Sequence, residues 1–156
     1  MRTVARAISA FLLAMVGAAA LGAAVPTPLR AEEAVVGIVK TLSGTATVKR
    51  DGNMFQLQIG TTLHEQDLIE TGPDGQLGIT FRDNSRIAIG PGTRLAVSRF
   101  TFRPDQRQYG FIVQLLHGTL EYISGLTAKL SPDSVSIEMP TSTIAVRGTR
   151  LLARAE

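Results

Sequence analysis

Arg82, Arg86, Arg94, Arg99, Arg103 and Arg107 follow one another along a stretch whose only acids are Asp83 and Asp105. A guanidinium is a planar fork that pairs carboxylates and phosphates through parallel hydrogen bonds. These six residues are therefore the candidate partner- or anion-binding surface. The competing reading is a solvated outer face whose arginines keep a sheet edge from pairing with other chains. His64-Glu65-Gln66-Asp67 is the densest group of acid–base or metal-ligating types. On a strand, His64 and Glu65 point to opposite faces, while His117 stands alone and the chain has no cysteine. A closed zinc site would need several carboxylates to converge. The segment reads as a solvated turn, and neither a metal nor a cofactor is expected. Gly90-Pro91-Gly92-Thr93-Arg94 lacks the spacing of a phosphate loop, and no helix signal follows it. No serine stands in a nucleophile elbow, and neither histidine has a context suggesting a partnered serine. The expected function is not enzymatic.

The elements that must carry these residues read as strands. Val35 to Thr41 is rich in β-branched residues and ends at Leu42-Ser43-Gly44. Thr45 to Arg50 meets Asp51-Gly52, a strong hairpin dipeptide, before Met54 to Gln58. Leu77, Ile79 and Phe81 alternate with Gln76, Gly78, Thr80 and Arg82, so three apolar side chains share one face. Asp83-Asn84-Ser85 reverses the chain, and Ile87 and Ile89 continue the inward row. Arg82 and Arg86 then have outward parity. Leu95 and Val97 are inward at odd positions but Phe100 and Phe102 at even ones, which predicts a bulge near Ser98-Arg99. The near-continuous apolar run Phe111 to Leu116 predicts a central strand covered on both faces. Val135, Ile137 and Met139 alternate before Pro140. Leu126 to Leu130 predicts a short helical turn closed by Pro132. Gly-Thr pairs at Gly44, Gly60, Gly92, Gly118 and Gly148 are unevenly spaced, so they suggest a shared turn-to-strand device in place of a repeat. The expected fold is all-β: two packed sheets or a β-roll of short strands, preceded by an N-terminal signal helix.

Charge and composition set the compartment. Three of the 16 basic residues, Arg2, Arg6 and Arg30, lie in residues 1–31, which hold no acid; the remaining 13 face 13 acids. The high isoelectric point therefore belongs to the leader, and no nucleic-acid partner is expected. Arg2 and Arg6 precede an uncharged apolar segment from Ala7 to Val25, the pattern of an export signal, with Ala31 small enough to precede a cleavage site. Residues 1–31 read as a signal peptide, with a retained N-terminal anchor as the alternative, and residues 32–156 as one domain. The expected location is periplasmic or secreted, or membrane-anchored under the alternative.

Several motifs in order resemble the FecR domain family, named for the periplasmic part of the ferric-citrate regulator. They begin with Gly37-Ile38-Val39 and Gly44-Thr45-Ala46-Thr47-Val48-Lys49-Arg50-Asp51-Gly52. Gly60 to Gly72 is similar to the family's G–x–x–L–x–x–G–D–x–I–x–T–G stretch, with Gln66 in place of the glycine before Asp67. Ile79 to Ile87 resembles its F–x–D–G–S turn, with Asn84 in place of glycine. Leu115-Leu116-His117-Gly118-Thr119 resembles its L–x–x–G strand. Met139 to Thr149 is similar to T–P–x–A–x–I–x–V–R–G–T. The resemblance implies a periplasmic protein-interaction or signalling module. Family domains continue for more strands beyond the last motif, which implies a C-terminally incomplete domain here. Too few residues precede the apolar segment for a cytoplasmic sigma-binding part, so no sigma-factor contact is expected from this chain alone. The expected partner is an envelope or periplasmic protein. The alternative is a cell-envelope glycan, bound through the arginines and Tyr109 or Tyr122.

Overall fold

The structure, a computed structural model, describes residues 34–156. The expected signal helix lies outside the described residues. Among the described residues twelve strands form a curled sheet: β1 (Val35–Ser43), β2 (Ala46–Arg50), β3 (Asn53–Gln56), β4 (Thr62–His64), β5 (Leu68–Thr71), β6 (Gln76–Phe81), β7 (Arg86–Ile89), β8 (Arg94–Arg103), β9 (Gln108–Ile123), β10 (Val135–Met139), β11 (Ser142–Ala145) and β12 (Arg150–Ala155). A short helix, α1 (Leu126–Leu130), follows β9. The main path runs β3-β2-β5-β8-β9-β7-β6-β1-β4, with β10 and β12 also paired to β9 and β11 to β10. All neighbours are antiparallel except β10, which runs parallel to β9.

The register explains the curl. Arg86–Ile89 pairs with Ile123–Leu120, and Arg94–Arg103 continues along the same β9 from His117 to Gln108. Strands β7 and β8 are thus one long strand broken at Gly90–Thr93. The successive strands β1 and β2, and likewise β5 and β6, are broken in the same way, at Gly44-Thr45 and at Gly72–Gly75. Four chain crossings therefore share one bend. Backbone groups lace it together: the Gly72 N–H donates to Thr45 O, Gly92 N–H to Gly72 O, and Thr71 N–H to Thr93 O. Threonine hydroxyls complete it. The Thr71 hydroxyl donates to Gly90 O at 2.7 Å and accepts from the Thr93 amide at 2.8 Å, and the Thr93 hydroxyl accepts from the Thr119 amide. A short β-branched side chain that can both donate and accept suits such a corner. All five Gly-Thr glycines have positive φ, and those at Gly44, Gly92 and Gly118 lie on this bend. At Gly118 (φ +96) a Cβ would collide with Thr93, so the close strand crossing itself requires glycine.

Bending brings the inner faces together. Phe81 of β6 meets Phe111 of β9 edge-on at 4.8 Å and stacks on Phe100 of β8 at 5.7 Å; Tyr122, beyond the bend on β9, lies 5.5 Å from Phe111. Leu77, Ile79 and Phe81 are buried as the alternation predicts, with Ile87 and Ile89 beside them. The bulge is present, with Val97 and Arg99 opposite adjacent residues of β9, so Ser98 is the inserted residue. One expectation is corrected. The run Phe111 to Leu116 is covered on one face only: Phe111, Val113 and Leu115 are buried, Ile112 and Gln114 half-buried, and Leu116 38% exposed. β9 is central by pairing, but its outer face looks to solvent, as in most antiparallel sheets.

Candidate functional site

Of the six arginines, three line a common cleft. Arg82 is exposed at the end of β6, with its guanidinium near Val35 O, and Arg86 is exposed on β7. Arg94 is held by Glu70, Nε to Oε1 at 2.8 Å. Arg99, Arg103 and Arg107 line one cleft of about 440 Å3 together with Thr101, Gln108 and Tyr109.

The bulge builds this cleft. One extra residue at Ser98 moves the following side chains to the other face. Phe100 is then driven into the core and Phe102 half-buried against it, while Arg99, Thr101 and Arg103 turn outward. Arg107 closes the β8–β9 connection. It sits at φ +52 after the one-turn helix Pro104–Gln106, its N–H donating to Pro104 O. A Cβ on Gly110 would stand 3.5 Å from Arg99 Nε, so the Arg99 side chain lies across the bare backbone of β9. Tyr109 is half-buried against Phe102 at 6.2 Å.

Some arginines carry a counter-charge and others do not. Arg50, Arg94, Arg147 and Arg150 are ion-paired with Asp67, Glu70, Asp133 and Glu121. Among the described residues Arg99, Arg103 and Arg107 make no ion pair and no side-chain hydrogen bond. Of the two acids in the arginine stretch, Asp83 is fully buried and turned away from the surface. It accepts from the Ser85 amide at 3.0 Å, the Ser85 hydroxyl and the Thr127 amide at 3.3 Å. Only exposed Asp105 remains to offset the three guanidiniums from within that stretch.

The segment His64-Glu65-Gln66-Asp67 is a turn with Glu65 and Gln66 exposed, as expected, but it is not solvated throughout. Asp67 is fully buried and takes both prongs of Arg50, at 2.7 and 2.6 Å, plus the His64 amide at 2.8 Å. Gln66 carries the positive φ of +68 that the motif assigns to glycine. The Glu65 carboxylate turns elsewhere, accepting the Phe100 amide at 3.3 Å. Sequence reasoning misses the Arg50–Asp67 pair. Its one signal is Asp67 itself, an acid directly before an inward Leu-Ile strand. Tyr122 is fully buried, so it is no sugar platform. Burial, reinforced by the nearby Asp83 charge, pushes its phenol well above the ordinary tyrosine range.

A larger groove of about 660 Å3 is lined by residues of β1, β6, β7, β9 and β12, with Gly78, Ala88 and Glu121 among them. Its carboxylate, Glu121, is already committed to Arg150. Among the described residues no helix is long and apolar enough to cross a membrane.

Fold and cleft define an all-β module with an unpaired cationic cleft on a bent sheet. The FecR protein family model matches residues 67–156, more than half of the chain, and the chain belongs to that family. A solved structure described as a cell surface anchoring domain is similar over 39% of this chain and 82% of its own, at 26% identity with a TM-score of 0.38. A comparison with curated proteins returns no match.

Proposed function

We propose that the chain is a non-catalytic interaction module of the cell envelope, exported by residues 1–31, that engages a protein partner through Arg99, Arg103 and Arg107. FecR family membership supports the class. One observation carries the site: Arg99, Arg103 and Arg107 line one cleft, and no carboxylate is paired to any of the three. Unpaired cations cost little while solvated and gain charge-assisted hydrogen bonds when an acidic partner displaces the water. The glycan alternative loses Tyr122 to the core and keeps only half-buried Tyr109 for stacking.

The test compares the parent chain with an Arg99→Ala/Arg103→Ala/Arg107→Ala variant in cross-linking to periplasmic protein and in retention on purified cell wall. Loss of a discrete, salt-sensitive protein cross-link in the variant supports the reading. Retention on cell wall that depends on the same arginines, with no protein cross-link, would replace it with the glycan reading. For export, mass spectrometry of the mature protein should find its first residue at or near Glu32; intact Met1 in the membrane fraction would establish the anchor instead.

A further inference from the structure

The cleft adjoins an open sheet edge. On the side of β8 away from β9, pairing with β5 covers only Arg94 to Ala96. One further residue, Val97, exchanges backbone hydrogen bonds with Gln66 and Asp67. From Ser98 to Arg103 no strand among the described residues pairs on that side. The Phe100 N–H faces this edge, because it is the group that Glu65 caps. In an antiparallel ladder the backbone groups of alternate residues face the same side. Phe102 therefore presents its N–H and C=O to the same edge. The side chain of Phe102 is half-buried, leaving apolar surface beside it. Arg99, Thr101 and Arg103 stand on the opposite, outer face.

We propose that this edge of β8 receives an extended strand of the partner, antiparallel, in which acidic residues alternate with apolar ones. The inference rests on reading the arginine cleft as the partner site. The acidic side chains face Arg99 and Arg103 as cross-strand neighbours, and the apolar ones lie along Phe100 and Phe102. Glu65 marks the position: its carboxylate already occupies an edge amide that a partner carbonyl would take over. The arginines select the strand. A basic strand placed here would meet like charges directly opposite, and an apolar one would desolvate guanidiniums without pairing them.

The test uses the full chain, isotope-labelled, with an eight-residue peptide alternating glutamate and valine. Hydrogen exchange at the Phe102 amide should slow at least tenfold on saturation. In the antiparallel arrangement the peptide amides that bond β8 belong to the residues on the phenylalanine face, the valines. Methylating the valine amides should therefore abolish binding, and methylating the glutamate amides should leave it intact. Replacing glutamate by lysine should abolish it. Arg99→Glu/Arg103→Glu should weaken binding at least tenfold, and Glu65→Ala should strengthen it roughly fivefold by freeing the Phe100 amide. Unchanged exchange at Phe102, or equal binding of both methylated peptides, overturns strand addition. The two failures are separable. If Arg99 and Arg103 are needed for the native cross-link while methylation has no effect, the cleft stands and the strand does not. If charge reversal changes neither the cross-link nor the peptide, the cleft reading fails with it.

Discussion

Asp67 lies fully buried beneath Arg50, which reaches across from β2 to grip both carboxylate oxygens and sets a second Nη2 hydrogen bond on Thr62 O at 3.1 Å. The His64 amide supplies a further donor to the carboxylate. The pair ties β2 to the turn that leads into β5, and that turn also carries Glu65 to the edge of β8.

Removing one partner should be costly. Arg50→Ala leaves a buried carboxylate without its counter-charge, a loss of about 3–5 kcal/mol for such pairs. Arg147→Ala breaks an ion pair between exposed side chains and should shift the denaturation midpoint little. Chemical denaturation of the two variants checks the contrast. Equal, small losses would show that water reaches Asp67.

Alternation along β6 predicts opposite behaviour at adjacent positions. Phe81 touches Phe100 and Phe111 in the core, so Phe81→Ala should cost roughly 3–5 kcal/mol. Thr80, on the outer face, should tolerate alanine within about 0.5 kcal/mol. Comparable losses at both positions in urea melts would refute the alternation.

The bend should be sensitive to a single methyl. Gly118→Ala forces a positive φ on alanine and drives its Cβ into Thr93, with an expected cost of about 2–4 kcal/mol. Gly52 also has positive φ but opens onto free space, so Gly52→Ala should cost about 1 kcal/mol. Thermal unfolding that ranks the two variants in reverse would show that the bend yields easily.

Tyr122 predicts an alkaline effect whose sign is determined by its raised phenol. The folded state holds the proton to higher pH than the unfolded chain, which releases it near pH 10. Its contribution to stability is therefore complete below about pH 10 and lost as pH rises above it. Its hydroxyl lies near Ser85 and Gly125 without completing a hydrogen bond. Tyr122→Phe should leave stability at pH 7 nearly unchanged and flatten the loss above pH 10. A parallel pH profile for parent and variant would refute the assignment.

Much of the fold is legible in the amino-acid sequence because it is local. A period of two at Leu77, Ile79 and Phe81 selects a face, and a parity break at Ser98 demands a bulge. The Asp51-Gly52 turn is likewise a property of two residues, both at positive φ here. The Gly-Thr pairs can be recognised as turns, since only glycine takes such conformations freely. That three of them stack along one bend cannot, because their adjacency is set by pairing between distant strands.

The sequence alone determined the strands, their inward faces, the formal neutrality of residues 32–156 and the family motifs, all of which depend on neighbours within a few positions. Tertiary structure decided which arginines share a cleft and which acids are spent. Asp83 and Asp67 look like surface charges in sequence, yet each is buried where Thr127, 44 positions away, or Arg50, 17 positions away, supplies its donors. Arg94 is matched by Glu70 across a strand pair, while Arg99, Arg103 and Arg107 are left without a counter-charge. Net charge on a face is a sum over chain segments that meet only on folding, so spacing along the chain cannot supply it.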